Sequence, residues 1–164
     1  MHFFTPLISA FVALILTALT CADAFAKGLQ TNMDAYVVTY NKKGKEVVKK
    51  ASSAEPGQII EYRIRHKNES AGVLNNLLTN GPIPKNTSYV AGSGSTKVKA
   101  EFEVSIDGGA NFAKEPLTRE VKDASGKIVT EEIPASEYTH VRWRGKDGIR
   151  KGKTQEFRYR VTVN

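Results

Sequence analysis

The chain has 164 residues, with 24 Lys and Arg against 17 Asp and Glu, a net charge of +7, 40% apolar residues and a single cysteine. That length suits one ordinary domain and crowds two, and one cysteine excludes an intramolecular disulfide. The apolar residues are unevenly spread, and the first 26 positions are a different kind of sequence from the rest.

No charged residue occurs from Phe3 to Leu19, and Leu7 to Leu19 is almost wholly apolar. Small residues follow in Ala22-Asp23-Ala24 and Ala24-Phe25-Ala26, both of the A-x-A form of a secretory cleavage site. Residues 1–26 therefore read as a signal peptide cut after Ala26, or alternatively after Ala24. The start lacks Lys and Arg, which leaves an uncleaved anchor as the other reading. A spanning helix wants about 20 apolar residues, whereas this run is shorter and contains Pro6. Cys21 follows Ala18-Leu19-Thr20, which does not match a bacterial lipoprotein signal, so the thiol leaves with the segment. The remaining 138 residues, 27–164, keep all 24 cationic side chains and 16 acidic ones, a net charge of +8, and contain no cysteine. The expected location is periplasmic or secreted, without a membrane span after signal removal. Such a domain is held by its core alone, with thiol chemistry and Cys-ligated zinc excluded.

Along the chain, period-two alternation predicts strands separated by turns. Ala35–Tyr40 is β-branched and aromatic; a turn over Asn41–Gly44 and a short strand at Val47-Val48 follow. After Glu55-Pro56-Gly57 comes the cleanest alternation, with Ile60, Tyr62, Ile64 and His66 on one face and Glu61, Arg63, Arg65 and Lys67 on the other. Val73–Thr79 is a further candidate strand, and Asn80-Gly81-Pro82-Ile83-Pro84 reads as a rigid extended connection. Thr87–Ala91 is followed by the strand with Phe102, Val104 and Ile106 inward. Leu117–Val121 and Ile128–Ile133 flank Asp123-Ala124-Ser125-Gly126 as a hairpin. Val141 and Trp143 alternate with Arg142 and Arg144; Phe157, Tyr159, Val161 and Val163 alternate with Arg158, Arg160 and Thr162. No repeat of 20–50 residues and no low-complexity linker divides the chain. The expectation is one all-β domain, a sandwich of about seven to nine antiparallel strands, with Tyr62, Ile64, Trp143, Phe157, Tyr159 and Val161 in its core.

Pro56-Gly57, Tyr62-Arg63-Ile64, Asn68, Gly72, Ile83-Pro84 and Tyr89-Val90-Ala91-Gly92-Ser93 follow one another in a specific order, and Trp143, Gly152 and Phe157–Val163 close it. In this the chain resembles the immunoglobulin-like domain of unknown function that recurs, often in tandem, in bacterial surface proteins. The resemblance covers most of residues 33–163, with Asn80-Gly81 where the family usually has an acidic residue, and with one copy rather than several. It implies an immunoglobulin-like β-sandwich and an envelope address, and it implies no catalytic activity.

The motifs that could carry chemistry are few. Ser105-Ile106-Asp107-Gly108-Gly109-Ala110-Asn111-Phe112 resembles an Asp-box, in which the carboxylate accepts backbone N–H groups and stabilises a turn; Asp107 reads as structural. Gly148–Thr154 is one residue short of a phosphate loop and lies between predicted strands rather than before a helix, so it reads as a basic turn. His66 and His140 lack metal-ligand spacing. The triplets at Asn68 and Asn86 are read as unglycosylated. No catalytic, cofactor or metal residue is assigned. The remaining feature is positive charge. If the last two strands pair as a hairpin, Arg142, Arg144, Arg158 and Arg160 share its polar face and form a possible anion-binding face.

These readings give an exported, non-enzymatic structural or interaction module of the bacterial cell envelope, with an unidentified envelope or surface protein as partner. The alternative is a basic-face binder of anionic envelope polymers, lipopolysaccharide or acidic polysaccharide. A polysaccharide hydrolase is a third reading. Nucleic acid is not an expected partner, because the chain is exported and no exposed aromatics interleave with the arginines.

Overall fold

The computed structural model describes residues 28–164; the predicted signal peptide and its cleavage sites lie outside them. Eleven strand segments occur in chain order. They are β1 (Leu29–Tyr40), β2 (Glu46–Lys50), β3 (Ile59–Asn68), β4 (Leu78–Pro82), β5 (Thr87–Tyr89) and β6 (Ser95–Thr96). β7 (Ala100–Ser105), β8 (Thr118–Lys122), β9 (Ile128–Glu132), β10 (His140–Gly145) and β11 (Thr154–Val163) follow, with one 3-10 turn at Ala135–Glu137. Every pairing is antiparallel. A six-stranded sheet runs β2-β1-β3-β11-β5, with β6 also on β11; a three-stranded sheet runs β4-β10-β7; β8 and β9 form a separate hairpin. The two larger sheets stack as an all-β sandwich of nine strands, as the alternation predicts.

The inward residues explain the stacking. Trp143 of β10 lies 5.6 Å from Phe157 and 6.2 Å from Tyr159 of β11, ring centre to ring centre, and 5.1 Å from Phe102 of β7. Tyr62 stacks on Tyr159 at 5.2 Å. Val104, Val141, Phe157, Tyr159 and Val161 are fully buried. Ile60, Ile64, Tyr89, Ile133 and Tyr138 complete this core among the described residues.

Three expectations are corrected. The last two strands do not pair: β10 bonds to β4 and β7, and β11 to β3, β5 and β6. The reason is that Trp143 and Phe157 both point into the core from opposite sheets, which a shared hairpin would not allow. The fourth strand is Leu78–Pro82 rather than Val73–Thr79. Upstream of it, Leu74 makes only an isolated bridge to Ile149. Pro82 fits within β4 because β4 is an edge strand, where a missing N–H costs nothing. Finally, β7 stops at Ser105, so Ile106 is exposed rather than inward.

Gly81 is held by packing. A Cβ there would come within 2.6 Å of Tyr159 Cε1 and 2.9 Å of Val141 Cγ2, and the Tyr159 hydroxyl donates to the neighbouring Pro82 carbonyl at 2.5 Å. Thus the Asn80-Gly81 pair makes room for the tyrosine ring between the sheets.

Trp143→Ala is expected to lower unfolding stability by about 3–5 kcal/mol, the cost of emptying a large aromatic site. Gly81→Ala is expected to cost about 1–3 kcal/mol through overpacking against Tyr159. Urea unfolding midpoints of the two variants check both values.

Candidate functional site

Arg158 and Arg160 project from the outer face of the six-stranded sheet, because they alternate with the buried Phe157, Tyr159 and Val161. Arg142 and Arg144 project from the outer face of the other sheet, alternating with Val141 and Trp143. The four arginines therefore lie back to back on opposite sides of the sandwich, and they do not form one face.

All four are engaged by carboxylates. The Arg142 Nε donates to Glu103 Oε2 at 2.8 Å, and its guanidinium lies 3.9 Å from the centre of the Phe112 ring. Arg144 reaches the same Glu103 at 3.5 Å. The Arg158 Nε donates to Glu156 Oε1 at 2.6 Å. Arg160 donates to both oxygens of Glu46, at 2.8 and 2.9 Å, and to Glu61 Oε2 at 2.7 Å. Glu61 is only 3% exposed although it belongs to the polar face of β3. Burial would raise its pKa, but the guanidiniums of Arg160 and Arg63 outweigh that and hold the carboxyl below the usual range. Glu156 is likewise lowered: burial is outweighed by Arg158 and Arg65. Arg65 continues the network to Asp34 at 2.9 Å, and Lys50 completes it at 3.0 Å from Asp34.

The other candidates are also occupied. Asp107 accepts from Ser105 Oγ at 2.7 Å, from the Asn111 backbone N–H at 2.9 and 3.1 Å, and from Asn111 Nδ2 at 2.7 Å. These bonds, the Asn111 amide first, hold it well below the ordinary carboxylate range. Gly108 and Gly109 take φ of 76° and 88° to close the turn. His66 is buried, with Nδ1 2.8 Å from Thr31 Oγ1 and Nε2 3.0 Å from Thr79 Oγ1. It ties β1 and β3 to β4 across the sandwich, and burial lowers its pKa. His140 sits beside Thr139, 3.3 Å away. Asn68 is fully buried; its amide donates to the carbonyls of Gly72 and Ile149, at 2.7 and 2.6 Å. The Gly148–Thr154 segment is a basic turn between β10 and β11. Among the described residues, no cluster of three His, Cys, Asp or Glu is placed to hold a metal ion. No helix of the described residues is long and apolar enough to cross a membrane.

Sequence reading missed two features. One is a cavity of about 290 Å³ lined by Glu115, Glu132, Tyr138 and neighbouring residues. Glu115 Oε1 accepts from the Gly92 N–H at 3.2 Å and lies 3.4 Å from the Tyr89 hydroxyl. Burial raises the Glu115 pKa, while burial and the adjacent carboxylate push Tyr89 up to about 12. No motif in the chain announces this carboxylate. The other is a cavity of about 440 Å³ beside the first residues of β11, lined by Arg65, Thr96, Lys97, Thr154, Gln155 and Arg158 among others. Gln155 Oε1 is the one buried side-chain polar atom among the described residues without a hydrogen-bond partner.

Because the folded pKa of His66 is depressed, the unfolded chain binds a proton that the native chain refuses. Stability is therefore expected to hold above about pH 6.5 and to fall as the pH drops below it. Urea midpoints at pH 7.5 and 5.5 read this slope, and His66→Gln is expected to remove it; an unchanged slope would assign it to other groups.

No protein-family model, no curated protein and no solved structure matches the chain.

Proposed function

We propose that the chain is an exported, non-enzymatic interaction module of the bacterial cell envelope, an immunoglobulin-like sandwich that offers a fixed surface to an envelope or surface protein. One observation carries this reading: the polar groups with chemistry to offer are spent inside the fold. Asp107 is saturated by its own turn, His66 by two threonines, and the strand arginines by carboxylates. Such side chains fix a shape and leave little to bind or activate a substrate. An anionic-polymer reading through Arg142, Arg144, Arg158 and Arg160 would have to break these pairs.

Polysaccharide hydrolysis is the second reading, favoured by Glu115 and Glu132 lining one cavity. Glycoside hydrolysis uses two carboxyl groups, one of them with a raised pKa to act as acid. Glu115 has that direction of shift. Against it, the same oxygen is held by Gly92 and Tyr89, an arrangement that clamps two loops.

The intact mass of the protein recovered from the periplasm is expected to correspond to residues 27–164 or 25–164. Purified envelope polysaccharide incubated with it is expected to release no reducing ends. Recovery of the uncut chain from the cytoplasm would overturn export. Reducing ends that disappear with Glu115→Gln would replace the module reading with the hydrolase.

A further inference from the structure

The positive charge is sorted by residue type and by place. Seven of the eight arginines in the sequence are in ion pairs; Arg150 is the exception. The other cations without an ion-pair partner among the described residues are lysines. Five such cations, Lys97, Lys99, Arg150, Lys151 and Lys153, gather at one end of the sandwich, and all are exposed.

Hydrogen bonds join the loops that carry them into one surface. The Gly152 N–H donates to the Asn68 carbonyl at 2.7 Å, and the Asn68 N–H to the Lys153 carbonyl at 3.0 Å. The Lys146 N–H donates to the Lys99 carbonyl at 2.8 Å, and Gln155 Nε2 to the Asp147 carbonyl at 3.2 Å. The larger cavity, with Lys97 on its wall, opens beside this end. The carboxylates here are Glu69, Glu101, Glu156 and Asp147. Glu69 is taken by Lys67, Glu101 by Lys146, and Glu156 by Arg65 and Arg158, so Asp147 is left beside five unpaired cations. Asp147 already accepts the Lys99 backbone N–H at 3.0 Å.

The chain enters the sandwich at this same end. The Gly28 carbonyl accepts from the N–H groups of Glu69 and Ser70, and Leu29 pairs with Asn68. Eight residues, 20–27, separate Gly28 from the end of the apolar run at Leu19. Fully extended they reach at most about 30 Å. On the export reading, the uncut precursor therefore brings the basic end close to the headgroups during transit. The lysines of the opposite end, Lys42, Lys43 and Lys45, have neither this tether nor this cavity. They lie at the tip of the hairpin that carries β2, where lysine protects an edge strand from pairing with another chain.

We propose that the end of the sandwich bearing Lys97, Lys99, Arg150, Lys151 and Lys153 docks on the anionic phospholipid surface of the membrane through which the chain is exported. The inference takes the membrane from the export reading and is independent of the module's protein partner. Clustered lysine and arginine bind anionic bilayers by summed Coulomb attraction that falls off within a Debye length. The surface thereby orients the domain with its opposite end away from the bilayer.

Flotation of residues 27–164, the chain expected after signal removal, with vesicles tests this. Vesicles of phosphatidylglycerol and phosphatidylcholine are expected to bind the protein, and phosphatidylcholine alone is not. Binding is expected to weaken steeply between 50 and 300 mM salt (roughly a 2.4-fold change in screening length). It is expected to weaken at least tenfold in the triple variant Arg150→Glu, Lys151→Glu, Lys153→Glu. The triple variant Lys42→Glu, Lys43→Glu, Lys45→Glu at the far end is expected to bind as the parent does. Unaltered melting of both variants secures the comparison. Absence of binding to phosphatidylglycerol vesicles, or equal loss in the two variants, would overturn the proposal. Tighter binding to soluble polygalacturonate than to vesicles would overturn it in favour of an acidic polysaccharide. A failure of export appears separately, in the intact mass, and leaves the vesicle result standing.

Discussion

The contact of Trp143 with Phe157 and Tyr159 is the constraint on which the rest of the sandwich depends. The described residues contain no cysteine, so attachment of one sheet to the other rests on packing and on a few polar ties. Aromatic rings at offset or tilted angles bury much area and also fix orientation. Tyr159 does both at once: its ring lies against Gly81 and its hydroxyl bonds to Pro82, so β11 is locked to β4. His66 makes a second tie to β4 through Thr79. Once these inward positions are fixed, a period of two leaves no freedom for the outward ones.

The outward positions then explain how the charge is distributed. Arginines on adjacent strands have carboxylate neighbours on both sides, and the planar guanidinium can bond to two of them. Arg65 and Arg160 each do so. Glu61 is the counterpart, a buried carboxylate held by two guanidiniums. Most of these pairs are partly exposed and are worth little individually; Glu61 differs, because its removal would leave two cations facing each other over a buried site. Most lysines in turns have no such carboxylate partner; Lys146, paired with Glu101, is an exception. The excess positive charge of the chain is consequently displaced from the sheet faces to the turns.

Much of this was legible in the sequence. The alternation of Ile60–Lys67 and of Phe157–Val163 gave both strands and their inward residues, and Asp123–Gly126 gave the β8–β9 hairpin. Alternation says which side of a strand is buried, and it is silent about which strand lies alongside. That is why Arg142 and Arg144 could be placed with Arg158 and Arg160 from sequence, although the fold sends them to opposite sides. Prolines at 82 and 84 masked β4, since an edge strand tolerates what a central strand does not. The burial of Glu61 was invisible for a related reason: its position is polar by periodicity, and only the arrival of Arg160 from 99 residues away covers it.

The same reasoning separates the parts of the surface that can carry function. A sheet face whose charges are paired within the network presents small residual fields to a partner, because the ions already compensate one another at contact distance. The turns keep uncompensated charge, and turns are also where a sandwich tolerates variation without disturbing its core. In this chain those turns are not equivalent. One end holds the entry of the chain, the buried Asn68 that knots its loops, the larger cavity and five unpaired cations. The rigidity supplied by Asn68 matters there, since a charged loop that is already ordered loses less conformational entropy when it meets a surface. The core thus determines recognition indirectly: by committing the arginines to the sheet faces, it leaves the ends of the sandwich as the places where charge can act.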